Sequence, residues 1–171
     1  MNHEVEIKEL KVLNAEKLAQ LSELLVAAVD QGASIGFMPP MDLQEAEAYW
    51  QEALKPDVLL WVAEADDRII GTVQLQLAMK KNGLHRAEVA KLMVHPEFRK
   101  KGIARKLMNT LEIAAKNINR SLLVLDTRSG DPSNLLYVSL GFIKAGVIPH
   151  YAKSSGGELL DTIFYYKEIC K

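Results

Sequence analysis

One cysteine, Cys170, stands in the whole chain, so no intrachain disulfide can form, and its place beside the last residue argues against a catalytic thiol. Long apolar runs are missing too. The longest, Val58 to Ala63, is far too short to cross a bilayer. Met1 to Leu10 alternate charged and apolar side chains and hold no signal-peptide core. Net charge is nearly absent: 21 Lys and Arg face 22 Asp and Glu, which gives no general attraction to nucleic acid or to an anionic membrane. The four histidines, His3, His85, His95 and His150, lack metal-ligand spacing such as His-Glu-x-x-His. No repeat, low-complexity tract or linker interrupts the 171 residues, so 1–171 reads as a single domain with room for one core. The expectation is a cytoplasmic protein without metal, membrane or nucleic-acid partner, either a monomer or a homodimer.

What the chain does have is a local concentration of positive charge. Five of its 21 cations lie between Arg99 and Lys106. Ahead of them a strand-like segment, Ala87 to Val94, ends at His95-Pro96. Behind them Ile103, Leu107, Leu111, Ala114 and Ile118 form the apolar stripe of a helix from about Gly102 to Asn119. A strand thus leads through a basic, glycine-containing turn into a helix. The first turn of a helix has unpaired N–H groups and partial positive charge, and Gly102 offers no Cβ to keep a phosphate away. A solvated basic turn capping an ordinary helix is the plain alternative. The Walker pattern Gly-x-x-x-x-Gly-Lys-Ser/Thr and the dinucleotide pattern Gly-x-Gly-x-x-Gly are both missing, which speaks against a nucleotide-phosphate binder.

The rest of the chain reads as alternating elements. A strand over Val5–Leu13 precedes a helix capped by Asn14, with Leu18, Leu21, Leu25 and Ala28 buried. Gln31 to Pro40, with two glycines and two prolines, is a loop carrying Ile35, Phe37 and Met38; it either tucks under the core or lies as a lid over a pocket. Asp42 and Glu45 mark the start of a second helix, running to about Lys55 with Leu43, Ala46, Trp50, Ala53 and Leu54 on one face. Val58–Ala65 and Ile69–Met79 form an antiparallel hairpin about Asp66-Asp67-Arg68. Ser121–Thr127 reads as a strand buried on both faces, parallel to the central one through a crossover helix. Ligands of such sheets bind beyond the carboxyl ends of the strands, where His95–Gly102 and Asp126 both fall. Asp131 and Pro132 open a short helix that ends before Gly141, with Leu136 and Leu140 toward the core. Two closing strands, Phe142 to about Tyr151 and Leu159–Lys167, flank the turn Ser154–Gly157.

Arg99-x-x-Gly102-x-Ala104, set between that strand and that helix, resembles the acyl-CoA pyrophosphate loop of the GNAT family of N-acetyltransferases. Asn134-Leu135-Leu136-Tyr137-x-x-Leu140-Gly141-Phe142 is similar, in shortened form, to a later segment of the same family. The order β-α-α-β-β-β-α-β-α-β-β carries the resemblance over nearly the whole chain. It implies an α+β fold with a mixed, mostly antiparallel sheet between helices, and transfer of acetyl from acetyl-CoA to the primary amine of a small molecule. It also implies that Arg99, Lys100, Lys101, Gly102, Ile103, Ala104 and Arg105 hold the pyrophosphate, and that the backbone of Leu92, Met93 and Val94 holds the pantetheine arm. Val94 N–H is then the candidate oxyanion donor, Tyr137 the acid for the CoA thiolate, and Asn134 a cofactor contact.

Such a reaction needs a proton acceptor for the amine, a donor for the oxyanion and a proton for the thiolate. Glu88, a carboxylate in a central strand, either accepts the amine's proton or forms an ion pair with Arg86 or Lys91. Asp126 either holds the substrate ammonium or caps the turn at Thr127-Arg128. Tyr137 has packing as its plain alternative, and His95 reads as structural. His150-Tyr151 lies on a strand edge, toward substrate or solvent. Gly32–Phe37, Ala87-Glu88-Val89, Leu125-Asp126-Thr127 and Ile163–Lys167 resemble one branch in particular, the tabtoxin resistance proteins, which implies resistance to an amino-bearing toxin or antibiotic. Asp131-Pro132-Ser133 and His150-Tyr151 depart from that branch. A non-catalytic acyl-CoA sensor, or acetylation of a protein or peptide amine, are the other readings; a sensor would keep the basic loop and dispense with Tyr137, Glu88 and Asp126.

Overall fold

The computed structural model describes residues 4–169; His3 and Cys170 lie outside them. The elements run β1 (Glu6–Glu9), α1 (Ala15–Asp30), α2 (Leu43–Ala53), β2 (Val58–Ala65), β3 (Arg68–Leu77), β4 (Arg86–Val94), α3 (Ile103–Asn117), β5 (Leu122–Arg128), α4 (Ser133–Ser139), β6 (Ile143–Lys153) and β7 (Leu159–Glu168). The order of strands and helices is the one the sequence pattern predicts. Seven strands form one sheet in the order β1-β2-β3-β4-β5-β7-β6. Every neighbouring pair is antiparallel except β4 with β5.

Local chemistry sets the element ends. Asn14 and Asp42 each accept the N–H of the residue three further on, Lys17 and Glu45, at 2.8 Å, so both predicted caps form. Asp66 and Asp67 both take positive φ, 49° and 60°, the geometry of a two-residue hairpin turn that keeps β2 and β3 in register. Gly71 permits a close approach: a Cβ there would stand 3.1 Å from the Met93 carbonyl oxygen and 3.3 Å from Leu107.

Each face of the sheet has its own core. Trp61, Val73, Leu75, Val89, Leu123, Leu125 and Tyr165 pack with Ile103, Leu107 and Leu111 of α3. On the other face Leu60, Val62, Ile69 and Met93 pack with Leu21, Leu24, Leu25 and Trp50 of α1 and α2. Trp50 is fully buried and donates its indole N–H to the Leu21 carbonyl at 3.0 Å. Truncating it to alanine costs about 3–5 kcal/mol.

Several predicted boundaries and faces need correction. β1 is four residues, shorter than Val5–Leu13, although Leu10 N–H still bonds to the Leu60 carbonyl at 2.8 Å. Leu43 is half exposed because it is the first residue of α2, ahead of the turn that meets α1. Ile118 ends α3 as its C-cap and is exposed; Met108 and Ala115 complete the buried stripe instead. β5 is not buried on both faces. Leu123, Leu125 and Thr127 are buried while Leu122, Val124 and Asp126 alternate toward an open cleft, since β5 carries no helix on that side of the gap described below. In α4 the fully buried residue is Tyr137, whose ring packs on Phe142 and Tyr165 with centroids 5.9 Å and 6.1 Å away; Leu140 packs against the same core as expected, and Leu136 is partly buried.

Candidate active site

The site begins with a gap in the sheet. β4 and β5 pair over only three positions, Arg86 with Leu122, Ala87 with Leu123 and Glu88 with Val124. Beyond Glu88 the two strands part, and their carboxyl-terminal halves form the walls of a wedge. His95 donates its backbone N–H to Ile70 at 2.8 Å, so the alternation of antiparallel pairing turns the N–H and C=O of Val94 away from β3, toward that wedge. The Val94 carbonyl there accepts a bond from Arg99 Nε at 3.2 Å.

A bulge in β4 prepares this wall. The register against β3 slips between Thr72 and Gln74, and Lys91 takes a φ of 52°. Before the bulge Ala87 and Val89 face the α3 core; after it Met93 faces the α1–α2 core and Leu92 and Val94 face α3. One added residue inverts the alternation of the strand.

Beyond Val94 the chain makes a short turn, Pro96–Phe98, capped by His95 Nδ1, which accepts the Glu97 N–H at 3.3 Å. His95 is thus structural, as expected; its Nε2 lies 3.1 Å from Arg68. Lys100 and Gly102 take φ of 61° and 76°, which turns the chain into α3. Gly102 supplies no side-chain cap, so the N–H groups of Ile103, Ala104 and Arg105 open the helix without a protein acceptor. Nothing stands within 4 Å of where a Gly102 Cβ would project. The cations around this turn are exposed and loosely held: Lys101 Nζ lies 5.0 Å from the Phe98 ring centre, and Arg105 donates to Ser139 Oγ at 2.7 Å.

A second group of polar residues gathers on the α1–α2 face of the wedge. Glu88 and Asp126 lie on the same side of the sheet, because Glu88 pairs with Val124 and Asp126 is two residues further along. Glu88 and Asp126 are both open to solvent on one side. Partial desolvation by the surrounding chain still pushes the Glu88 carboxyl above its ordinary range and the Asp126 charge adds to this, while Lys91 and Arg86 oppose it. Desolvation likewise raises Asp126, with Lys91 opposing. Lys91 is lowered by its own burial, which the two carboxylates offset in part. Among the described residues neither carboxylate makes an ion pair within 4.0 Å, so the alternative reading of Glu88, an ion pair with Arg86 or Lys91, does not form. Lys91 instead reaches the loop after α1. Its ammonium donates to the Ile35 carbonyl at 2.7 Å and lies 5.3 Å and 5.7 Å from the ring centres of Phe37 and Tyr49. Behind it Gln74 donates to Tyr49 Oη at 2.9 Å. The loop is therefore fastened across the cleft, with a cavity of about 170 Å³ between it, Arg128 and the β6–β7 turn.

Tyr137 approaches from the other face. Burial raises its phenol well above the ordinary value, with smaller contributions from Asp131 and Asp126, so it stays protonated at neutral pH. Among the described residues its hydroxyl has no hydrogen-bond partner. Asn134 is fully engaged: it donates to the Arg128 and Asp131 carbonyls at 2.9 Å and 2.8 Å and accepts from Tyr165 Oη at 2.8 Å. Its amide braces the start of α4. Asp131 accepts the Ser133 N–H at 2.9 Å, so it caps the helix as its sequence position suggests. Tyr151 stacks edge-on against Phe164 at 5.5 Å and is half exposed on the β6 edge.

The structure thus gathers Glu88 and Asp126 on one face of the wedge, Tyr137 on the other, and the basic turn at its end. Lys91, Tyr49, Gln74 and Arg128 went unassigned in the sequence. The signal for two of them was present: Gln74 and Gln76 alternate with apolar residues along a central strand, and Lys91 breaks the apolar run of another. Among the described residues no group of three or more His, Cys, Asp or Glu is arranged to hold a metal, and no helix is long and apolar enough to cross a membrane.

A gapped mixed sheet with an open helix N-terminus at the gap is the arrangement that the resemblance to the GNAT family implies. The model of the "Acetyltransferase (GNAT) family" matches residues 19–142, and the chain belongs to that family. Its class is that of the GNAT acetyltransferases. It is 29% identical over 134 residues to an N-acetylaspartate synthetase of Xenopus tropicalis, covering 75% of this chain and 48% of that protein. The chain thus spans about half of that relative's length. It is also 29% identical over 128 residues to an uncharacterized N-acetyltransferase from the hisH-hisA intergenic region of Azospirillum brasilense, covering 73% of this chain and 76% of that one. Among solved structures, a putative acetyltransferase of Salmonella typhimurium with its cofactor acetyl-CoA superposes with a TM-score of 0.79 at 21% identity, covering 98% of this chain and 95% of the other. That likeness is one of fold.

Proposed function

We propose that the chain transfers the acetyl group of acetyl-CoA to the primary amine of a small molecule, by direct attack and in the cytoplasm. The observation that carries the small-molecule reading is the loop after α1, which Lys91 ties to β4 and which, with Arg128 and the β6–β7 turn, lines a cavity of about 170 Å³, a volume that suits a small acceptor.

In this reading the amides of Ile103, Ala104 and Arg105, with Arg99, Lys100 and Lys101, bind the pyrophosphate. The turned-out backbone of Leu92, Met93 and Val94 lines the pantetheine channel. Glu88 or Asp126 takes a proton from the acceptor's ammonium, directly or through water, and frees the nitrogen to attack the thioester carbon. Val94 N–H donates to the developing oxyanion. The carbon–sulfur bond then breaks, and Tyr137 faces the thiolate. A phenol with a raised pKa does not fully protonate a thiol of pKa about 8.5. Tyr137 therefore acts chiefly by donating a hydrogen bond to the sulfur, with net protonation drawn from the acceptor's nitrogen or from solvent. Asn134 supports this as a positioning residue, through Tyr165 and the start of α4. An amino-bearing toxin or antibiotic of the kind the tabtoxin resistance branch suggests belongs to this class of acceptor.

Thiol release from acetyl-CoA is the test, measured against amino acids, polyamines, aminoglycosides, an amino β-lactam and an N-terminal peptide. Release with a small amine and not with the peptide is expected. Release with the peptide alone would sink the small-molecule reading.

A further inference from the structure

The cavity beside the carboxylate pair has a charge of its own. Its lining includes Arg128 and Lys153 and the hydroxyls of Ser34, Ser154 and Ser155, with no Asp or Glu. Phe37 and Met38 form the apolar remainder at the loop. Phe37 is also the ring beneath Lys91, and Lys91 feels the charges of Glu88 and Asp126, so this cavity adjoins their cluster through Lys91. The cleft is therefore bipolar: two carboxylates at the sheet gap and two cations at the hairpin end.

Arg128 is the hinge of the argument. It follows Asp126 by two residues on β5 and projects to the same face, about 6.6 Å further along the strand. Its guanidinium spends one contact on the Gly32 carbonyl at 3.3 Å and one on Asp131 at 3.2 Å. A guanidinium has five N–H donors, so others remain for a ligand. Asp131 divides its charge between that contact and the Ser133 N–H. Ser155 Oγ stands 3.8 Å from where a Gly32 Cβ would project, so the β6–β7 turn borders the cavity at Gly32.

We infer that the acceptor is a short amino acid, an amine that carries a carboxylate, with its ammonium at Glu88 and Asp126 and its carboxylate at Arg128 and Lys153. The distance along β5 limits the separation of the two groups to a few bonds. This rests on the small-molecule reading above and narrows it.

The test compares glycine, β-alanine, 4-aminobutyrate, aspartate, glutamate and lysine with their primary amides and with unsubstituted alkylamines of equal length, by thiol release. At least one acid is expected to exceed its amide tenfold or more in kcat/KM. Lys153→Gln and Arg128→Gln are each expected to cut that preference severalfold through the acceptor KM, with the KM for acetyl-CoA unchanged. Arg128 also ties the loop to β5; should Arg128→Gln fail to fold, Lys153→Gln on the exposed hairpin carries the comparison. Amides turned over as well as acids would overturn the inference, as would a preference that survives both substitutions. Turnover of polyamines or aminoglycosides alone removes the inference and leaves the small-molecule reading in place. Turnover of peptide alone, or of no amine while acetyl-CoA still binds, removes both.

Discussion

The two walls of the wedge are built on opposite plans. The proposed donor side is contiguous: Val94 to Arg105 supply a turned-out strand end, two left-handed residues and an uncapped helix, and its polar groups are largely backbone N–H. The proposed acceptor side is assembled from distant segments, Ile35 and Phe37 on a loop, Tyr49 on α2, Glu88 and Lys91 on β4 and Asp126 on β5, and its polar groups are largely side chains. A backbone site needs only the right dihedral angles, so it suits a ligand part that never changes. A side-chain site can be altered one residue at a time, so it suits the variable partner.

That contrast is sharpest if each wall fails in its own parameter. The largest effect belongs to Glu88→Gln with Asp126→Asn: kcat with any accepted amine should fall about 100-fold or more, with acetyl-CoA binding intact by calorimetry. In the wild-type enzyme the acid limb of the pH profile should lie above the ordinary carboxylate range, because both carboxyls are raised and must ionise to act. Next, Arg99→Ala with Lys101→Ala should raise the KM for acetyl-CoA about tenfold with little change in kcat, and added salt should shrink the difference. An unchanged KM would detach these cations from the pyrophosphate. Tyr137→Phe should slow turnover about tenfold. Its melting temperature should hold or rise, since the buried phenol has no partner to lose; a wild-type rate would make Tyr137 a packing residue. The smallest effect is expected from Lys91→Met, a severalfold rise in acceptor KM with faster amide exchange over Gln31–Pro40. Exchange that stays at the wild-type rate would show that the loop is held by something other than the Lys91–Ile35 bond.

The same contrast explains what the sequence made visible. Caps at Asn14 and Asp42, the hairpin at Asp66-Asp67 and the strand-turn-helix at Val94–Gly102 are all local, and local pattern predicts them well. Tyr137 was read onto the wrong face of α4 because a seven-residue helix carries too few positions to define a stripe, and its partners Phe142 and Tyr165 come from later strands. Lys91 went unassigned because its value depends on a bulge that no composition reveals and on rings far away in the chain. The family resemblance implies Asn134 as a cofactor contact; the three bonds it makes, to Arg128, Asp131 and, far along the chain, Tyr165, are not legible in local spacing.

The inverted alternation at Lys91 carries a consequence for how such a chain can drift and be re-engineered. Substitutions along Ala87–Val94 change one contact each. A deletion of Lys91 would remove the extra residue, restore a regular ladder and leave Leu92 and Val94 in their layer with the Val94 amide still turned from β3. The bulge is therefore where this strand should lose a residue with least damage to its packing, and codon-deletion scanning would find a folded variant there that lacks only the ammonium tying the loop to β4.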